Sequence, residues 1–91
     1  MKIEFDDEKD RSNQEKHGLS LAEAADLEFE TAQIVPDDRK AYGEARFRAY
    51  GWIGGRLHML AFTMRGDTLR AISLRRANAR EVRRHGQATG H

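Results

Sequence analysis

The chain has no cysteine, so neither disulfides nor thiolate metal ligands enter its chemistry. Its four histidines, His17, His58, His85 and His91, are scattered without HxxxH or HExxH spacing, so we expect no metal site. Neither common glycine-rich phosphate loop occurs, and no cofactor is expected. No apolar run approaches the ~20 residues of a membrane-spanning helix, and there is no signal-peptide core. Repeats and low-complexity linkers are also missing. These absences leave a small, soluble, cytoplasmic protein: one domain over residues 1–91 with one modest core and a frayed tail at 87–91. A domain this small without covalent staples is a natural candidate for a stabilising partner.

Lysine is scarce where positive charge is dense. Residues 39–91 hold eleven Arg and one Lys against three acidic residues, whereas residues 1–38 hold twelve acidic and four basic residues. The overall charge of +1 therefore hides an acidic first part and a basic second part. Arginine presents a planar fork that matches phosphate oxygens, so this bias points to a nucleic-acid contact.

The basic part carries three runs of strand length, 44–53, 56–65 and 68–75, separated by Gly54-Gly55 and Gly66-Asp67. Both dipeptides supply the positive φ of tight hairpins, predicting an antiparallel meander. Two-residue loops place Phe47 opposite Phe62, Ala49 opposite Leu60 and Ala45 opposite Met64. They also place Phe62 opposite Ala71, Met64 opposite Leu69, Leu60 opposite Ser73 and His58 opposite Arg75. The Phe47/Leu60/Phe62 side is the predicted core face, with helices packed on it. The other side carries Arg46, Arg48, Thr63, Arg65 and Arg70 near one end and Tyr50, Trp52, Leu57, Met59, Ile72 and Leu74 towards the other. Asp and Glu are nearly missing from it, which suits a polyanion platform. The competing reading is an ordinary solvated face.

Lys2 to Phe5 reads as a short strand. Asp6 or Asp7 caps a helix to about His17, which stops at Gly18. That helix has no apolar side chain, so core burial cannot hold it. Ser20-Leu21-Ala22-Glu23 is a capping box opening a helix to about Phe29, with Leu21, Ala24, Ala25 and Phe29 inward. Thr31 to Val35 is a further strand. Asn78-Ala79-Arg80-Glu81 is a second capping box, opening a basic helix to about His85 that Gly86 ends.

Several of these segments resemble the BrnT family of bacterial toxins. They are Asp38-Arg39, Tyr42-Gly43-Glu44-x-Arg46, Gly55-Arg56-Leu57-His58, Thr63-Met64-Arg65-Gly66-Asp67 and Arg70-x-Ile72-Ser73-x-Arg75-Arg76-Ala77-Asn78-x-Arg80-Glu81. The opening Phe5-Asp6-x-x-Lys9-x-x-x-Asn13-x-x-Lys16-His17-Gly18 resembles that family as well. Where many relatives have Trp-Asp this chain has Phe5-Asp6, and where many have a tyrosine it has His85. The resemblance implies a RelE-like fold, in keeping with the α+β pattern above, and a ribonuclease toxin of a type II toxin–antitoxin system, whose cleavage the missing ligand cluster leads us to expect without metal. It further implies an RNA substrate and a BrnA-like ribbon-helix-helix antitoxin, with DNA contacted only through that antitoxin and no membrane partner.

RNA cleavage without metal needs a base for the 2′-hydroxyl, cations for the phosphorane and an acid for the 5′-oxygen. We expect Arg65, Arg75, Arg76, His58 and His85 to be the catalytic set. Arg46, Arg48, Arg70, Lys16 and His17 are the expected RNA contacts. For His58 a core-edge histidine bonded to backbone is the somewhat better reading, and for His17 contact with its helix C-terminal dipole is the preferred one; for His85 that dipole contact is an equal reading. The alternative function is a non-catalytic nucleic-acid-binding or protein-interaction module on the same arginine face.

Overall fold

Gly54 and Gly55 both take positive φ (56° and 79°), the sign pattern of a type I′ turn, so the first hairpin closes in two residues as expected. The computed structural model describes every residue except Lys40, Gly90 and His91, and the side chains of Ala88 and Thr89. Its strands are β1 (Lys2–Glu4), β2 (Gln33–Pro36), β3 (Phe47–Ile53), β4 (Arg56–Arg65) and β5 (Thr68–Arg76). The α-helices are α1 (Asp7–His17) and α2 (Ala79–Thr89), and two 3₁₀ helices span Leu21–Asp26 and Phe29–Thr31. The strands form one sheet in the order β1-β5-β4-β3-β2, with β1 parallel to β5 and the other pairs antiparallel. This is an α+β fold built on the anticipated meander. No helix among the described residues is long and apolar enough to cross a membrane.

Phe47↔Phe62, Ala49↔Leu60, Phe62↔Ala71 and Met64↔Leu69 pair as the turn arithmetic requires. Ala45↔Met64 lies beyond the ladder, because β3 begins at Phe47. Beyond Phe62 the second hairpin departs from expectation. A β-bulge shifts the register, so Ala61 faces Ser73, Leu60 faces Leu74 and His58 faces Arg76. One extra residue in β5 reverses the facing of everything after it. Leu74, expected on the arginine side, is instead fully buried in the core, and Arg75 turns to the side where Leu74 was expected.

The main core lies on the Phe62 face. It comprises Leu21, Ala24, Leu27, Ala49, Leu60, Phe62, Leu69, Ala71 and Leu74, with Ile3, Phe5, Phe29 and Phe47 packed against it. The predicted second helix is two shorter 3₁₀ pieces, and Leu27 replaces Ala25 on its inward side, since Ala25 is exposed. Residues 21, 24 and 27 repeat every three positions, the period of a 3₁₀ helix, so one stripe faces the sheet. Gly51 has no side chain because Leu27 covers it; a Cβ there would sit 2.9 Å from Leu27 Cδ2.

The apolar-free α1 is held to the rest of the chain by polar contacts. Asn13 is buried, and its Oδ1 accepts from Leu74 N–H at 2.9 Å. Its Nδ2 donates to Leu74 O and Leu19 O, both at 2.8 Å. The carboxamide thus stands in for a neighbouring strand residue where β5 runs on past β1. Asp10 accepts from Leu21 N–H at 2.7 Å and Ser20 Oγ at 3.0 Å, tying α1 to the first 3₁₀ helix.

The helices divide between the faces, where all were expected on one. Glu81 of α2 meets Arg75, and His85 meets Trp52 edge-on at 5.7 Å, so α2 packs on the face opposite the first 3₁₀ helix, while α1 lies along the β5 edge. It also runs past Gly86 to Thr89, so the expected stop at Gly86 is not observed. The far end of the expected tail, residues 90 and 91, lies outside the described residues.

Candidate nucleic-acid interface

Strand alternation carries one row of side chains across the α2 face: Arg46, Arg48, Tyr50 and Trp52 on the β3 side, and Thr63 and Arg65 on β4. Tyr50, Met59 and Ala61 are buried there as a small second core with Val35 and Ile72. Thr63 is buried too, its Oγ1 donating to Ala45 O at 2.6 Å, which fixes the chain entering β3. This end of the face is neither an open platform nor ordinary solvated sheet.

The near absence of carboxylates expected on this face is not observed. Acidic residues from four separate segments reach it. Glu4 pairs with Arg70 (3.2 Å), Glu44 with Arg46 (3.9 Å) and Glu81 with Arg75 (2.8 Å). Asp37, buried at the end of β2, takes two bonds from Arg39 (2.7 and 2.9 Å) and sits 3.9 Å from Arg48. The Arg39 guanidinium holds the Asp37 carboxyl below the usual carboxylate range. Arg46 also stacks over the Tyr42 ring at 4.0 Å. Nε of Arg46 and Nε of Arg48 are buried without a hydrogen-bond acceptor among the described residues. Such donors favour an incoming oxygen ligand if the side chains turn towards it.

At the far end, α2 and the sheet enclose a cleft of about 160 Å³ lined by Gln33, Arg48, Tyr50, Glu81, Arg84 and His85. That is below the ~300–1,000 Å³ of a pocket that engulfs a whole small molecule, and it suits a single group such as a phosphate. Glu81 does three things here. It completes the predicted capping box with Asn78 (2.9 and 2.8 Å) and clamps Arg75 through both oxygens (2.8 and 3.0 Å). It also lies within the influence of Tyr50. The Arg75 fork pulls the Glu81 pKa down to about 2, so this carboxylate stays ionised and anchors a cation instead of carrying protons. Tyr50 Oη accepts from Arg48 Nη1 at 3.1 Å. Glu81 and His85, one turn apart, are buried against the sheet; Arg80, Arg83 and Arg84 are exposed, and Arg84 stands at the rim of the cleft. None of those three has a carboxylate partner among the described residues.

The residues expected to be catalytic are only partly brought together. His85 lines the cleft, and Arg75 reaches its border through its pair with Glu81. Arg65 lies exposed at the Gly66 hairpin, six residues along β4 from Met59, the partner of Arg75; at ~3.3 Å per residue that is about 20 Å. His58 is buried with Nδ1 2.8 Å from Arg56 O, the backbone-bonded alternative noted for it. Alternation from Leu60 puts His58, and Arg76 opposite it, on the core side of the ladder, away from Arg75. Of the expected RNA contacts, Arg46, Arg48 and Arg70 share the α2 face. Lys16 and His17 belong to a different depression between α1 and β5, with Lys9, Ser12, Ile72 and Ser73. Sequence reasoning missed Tyr50, Glu81 and Arg84. Only Glu81 carried a signal, as a capping residue, and nothing in its spacing announced the clamp on Arg75. No cluster of three or more metal-ligating side chains occurs among the described residues.

Over residues 5–81 the sequence matches the family described as the ribonuclease toxin, BrnT, of a type II toxin–antitoxin system. The crystal structure of the Brucella abortus ribonuclease toxin BrnT, at 1.1 Å resolution, is similar to this chain with a TM-score of 0.70 and 33% sequence identity. The similarity covers 86% of this chain and 97% of that one. No curated protein matches the sequence.

Proposed function

The chain belongs to the BrnT family of ribonuclease toxins of type II toxin–antitoxin systems, and from that premise we propose that it is a metal-independent endoribonuclease whose active cleft lies between α2 and the sheet. It acts as one domain in the cytoplasm and is neutralised by a BrnA-like ribbon-helix-helix antitoxin. The observation that carries this reading is the cleft itself, where Arg48, Arg84, Tyr50 and His85 converge beside the Arg75–Glu81 pair.

An RNA strand runs along the α2 face from Arg65, past Arg70 and Arg46, to the cleft. Arg65, Arg70 and Arg46 hold phosphates in ground and transition states alike. In the cleft the scissile phosphate lies between Arg84 and Arg48. Their charge neutralises the phosphorane in a site partly closed to water, where each cation counts for more. The 2′-oxygen attacks phosphorus as its proton leaves, the P–O5′ bond breaks, and the 5′-oxygen takes up a proton. The products are a 2′,3′-cyclic phosphate and a 5′-hydroxyl. His85 is the proton-transfer group, with the Tyr50 hydroxyl beside it as a second donor. Arg75 is a positioning residue: tied to Glu81, it fixes the first turn of α2 and hence the place of Arg84 and His85.

Purified protein tests this directly. Cleavage in EDTA with cyclic-phosphate ends is the expected result. Activity lost in EDTA and restored by Mg²⁺ would overturn the mechanism. Arg84→Ala, an exposed change, should reduce turnover about 100–1,000-fold by analogy with a lost oxyanion donor. Arg65→Ala should raise KM with turnover nearly unchanged. RNA bound but never cut, ribosomes included, would support a binding module on the same face.

A further inference from the structure

The face opposite the cleft carries an apolar groove that the ribonuclease reading leaves unused. It lies where the core face meets the Gly66 hairpin and has a volume of about 350 Å³. Met1, Phe29, Ile34, Phe47, Phe62 and Met64 line it, and no polar side chain does. Phe47 and Phe62 form its floor, with ring centroids 5.6 Å apart. The chain has four exposed large hydrophobic side chains among the described residues, and three of them border this groove: Met1 (74%), Ile34 (49%) and Met64 (40%). In so highly charged a protein, that concentration marks a contact surface and not random exposure.

Charge and topology narrow the occupant. Phe29 sits between Glu28 and Glu30, both exposed, and the segment 21–31 carries Glu23, Asp26, Glu28 and Glu30 with no basic residue. A polyanion is therefore disfavoured. A second copy docked about a two-fold axis would set Glu28 and Glu30 against the same acidic segment, which like charges oppose. Ile34 lies on β2, an edge strand whose outer side has no partner strand among the described residues. An extended or helical segment bearing apolar anchors flanked by Lys or Arg satisfies groove, rim and edge together.

We infer that this groove is the anchor site for the antitoxin, occupied by an apolar, positively flanked segment of that partner, on the face opposite the catalytic cleft. The inference rests on the toxin reading for the partner's existence, but the surface is separate from the one that cuts RNA. Toxicity and neutralisation should therefore come apart.

The test co-expresses the toxin with the antitoxin of its own operon and titrates the purified pair. Ile34→Asp and Met64→Asp, both at exposed positions, should arrest growth like wild type when expressed alone. Each should need far more antitoxin for rescue, with binding weakened at least 100-fold. Glu28→Lys combined with Glu30→Lys should weaken binding about tenfold at low salt and less at high salt. Val82→Asp, at the exposed hydrophobic residue on α2, should leave binding unchanged. Wild-type affinity for Ile34→Asp and Met64→Asp would overturn the inference. So would a toxin dimer in sedimentation that Ile34→Asp dissolves, since the groove would then hold a second copy. If wild type proves non-toxic, the ribonuclease reading fails, while the binding titration still decides the groove. Should Ile34→Asp fail to melt cooperatively, Met64→Ser supplies the same comparison.

Discussion

Replacing Asn13 is the most stringent check on how α1 is held. Asn13→Ala removes an acceptor from Leu74 N–H and donors from Leu74 O and Leu19 O. Two backbone groups of a fully buried residue then lose their partners. Each such loss costs ~1–3 kcal/mol, and water entering at the sheet edge offsets part of it, leaving about 2–4 kcal/mol. At ~4–8 °C per kcal/mol for a domain of this size, the melting midpoint should fall by roughly 10–25 °C. Amide exchange in residues 7–17 should accelerate most, because α1 has no apolar side chain to keep it docked. Asn13→Asp is the sharper variant. It keeps the acceptor for Leu74 N–H but turns a second oxygen towards two carbonyls. It should be at least as damaging at pH 7 and should recover in part as acid protonates the carboxyl. Circular-dichroism melts and hydrogen exchange read both. If Asn13→Ala melted within ~2 °C of wild type with helix protection intact, the polar anchor would not be what holds α1.

Glu81 adds a pH signature. Its folded pKa of about 2 lies below its ordinary value of 4.5, so its contribution is complete above pH 4.5 and is lost as pH falls through about 2. The contribution is on the order of 3 kcal/mol, and Glu81→Gln should flatten the stability–pH curve across that window. A curve of unchanged slope would mean that the Arg75 clamp does not hold in solution. Gly51→Ala should destabilise by ~1–3 kcal/mol through overpacking against Leu27, and Leu27→Val in the same chain should restore part of it; denaturant melts of the two single variants and the double give the coupling. Phe62→Ala should cost ~3–5 kcal/mol, and a nearly unchanged midpoint would contradict its place in the core.

What could be read from the sequence was local. Gly54-Gly55 and Gly66-Asp67 specify turns by backbone chemistry, and alternation then places Phe47, Leu60 and Phe62 on one face. The bulge in β5 has no such marker: Ile72 and Ser73 are ordinary strand residues, and neither glycine nor proline signals the extra residue. Its effect was large, because it exchanged Leu74 for Arg75 and so decided which arginine faces the cleft. The hold on α1 was hidden for a different reason. A search for apolar stripes cannot detect a helix fastened by one carboxamide. Of the cleft's lining, Arg48 and His85 were legible in the sequence, but Arg84 and the balance of charge across the face were not. Glu4, Asp37, Glu44 and Glu81 come from separate segments, and only the folded sheet brings them to one surface.

The parallel pairing of β1 with β5 also sets an order of assembly. Ile3 lies beside Leu69, Glu4 bonds Arg70 and Asn13 bonds Leu74, each tie spanning more than sixty residues. The hairpins of the meander close over loops of two residues, so they form early, while the N-terminal strand and helix join last. During synthesis β1 must wait for β5. A product cut short before Thr68 leaves β1 without its partner strand and α1 without its tie to Leu74. Hydrogen exchange should find these ties opening first, with β1 and α1 losing protection while the meander keeps its own.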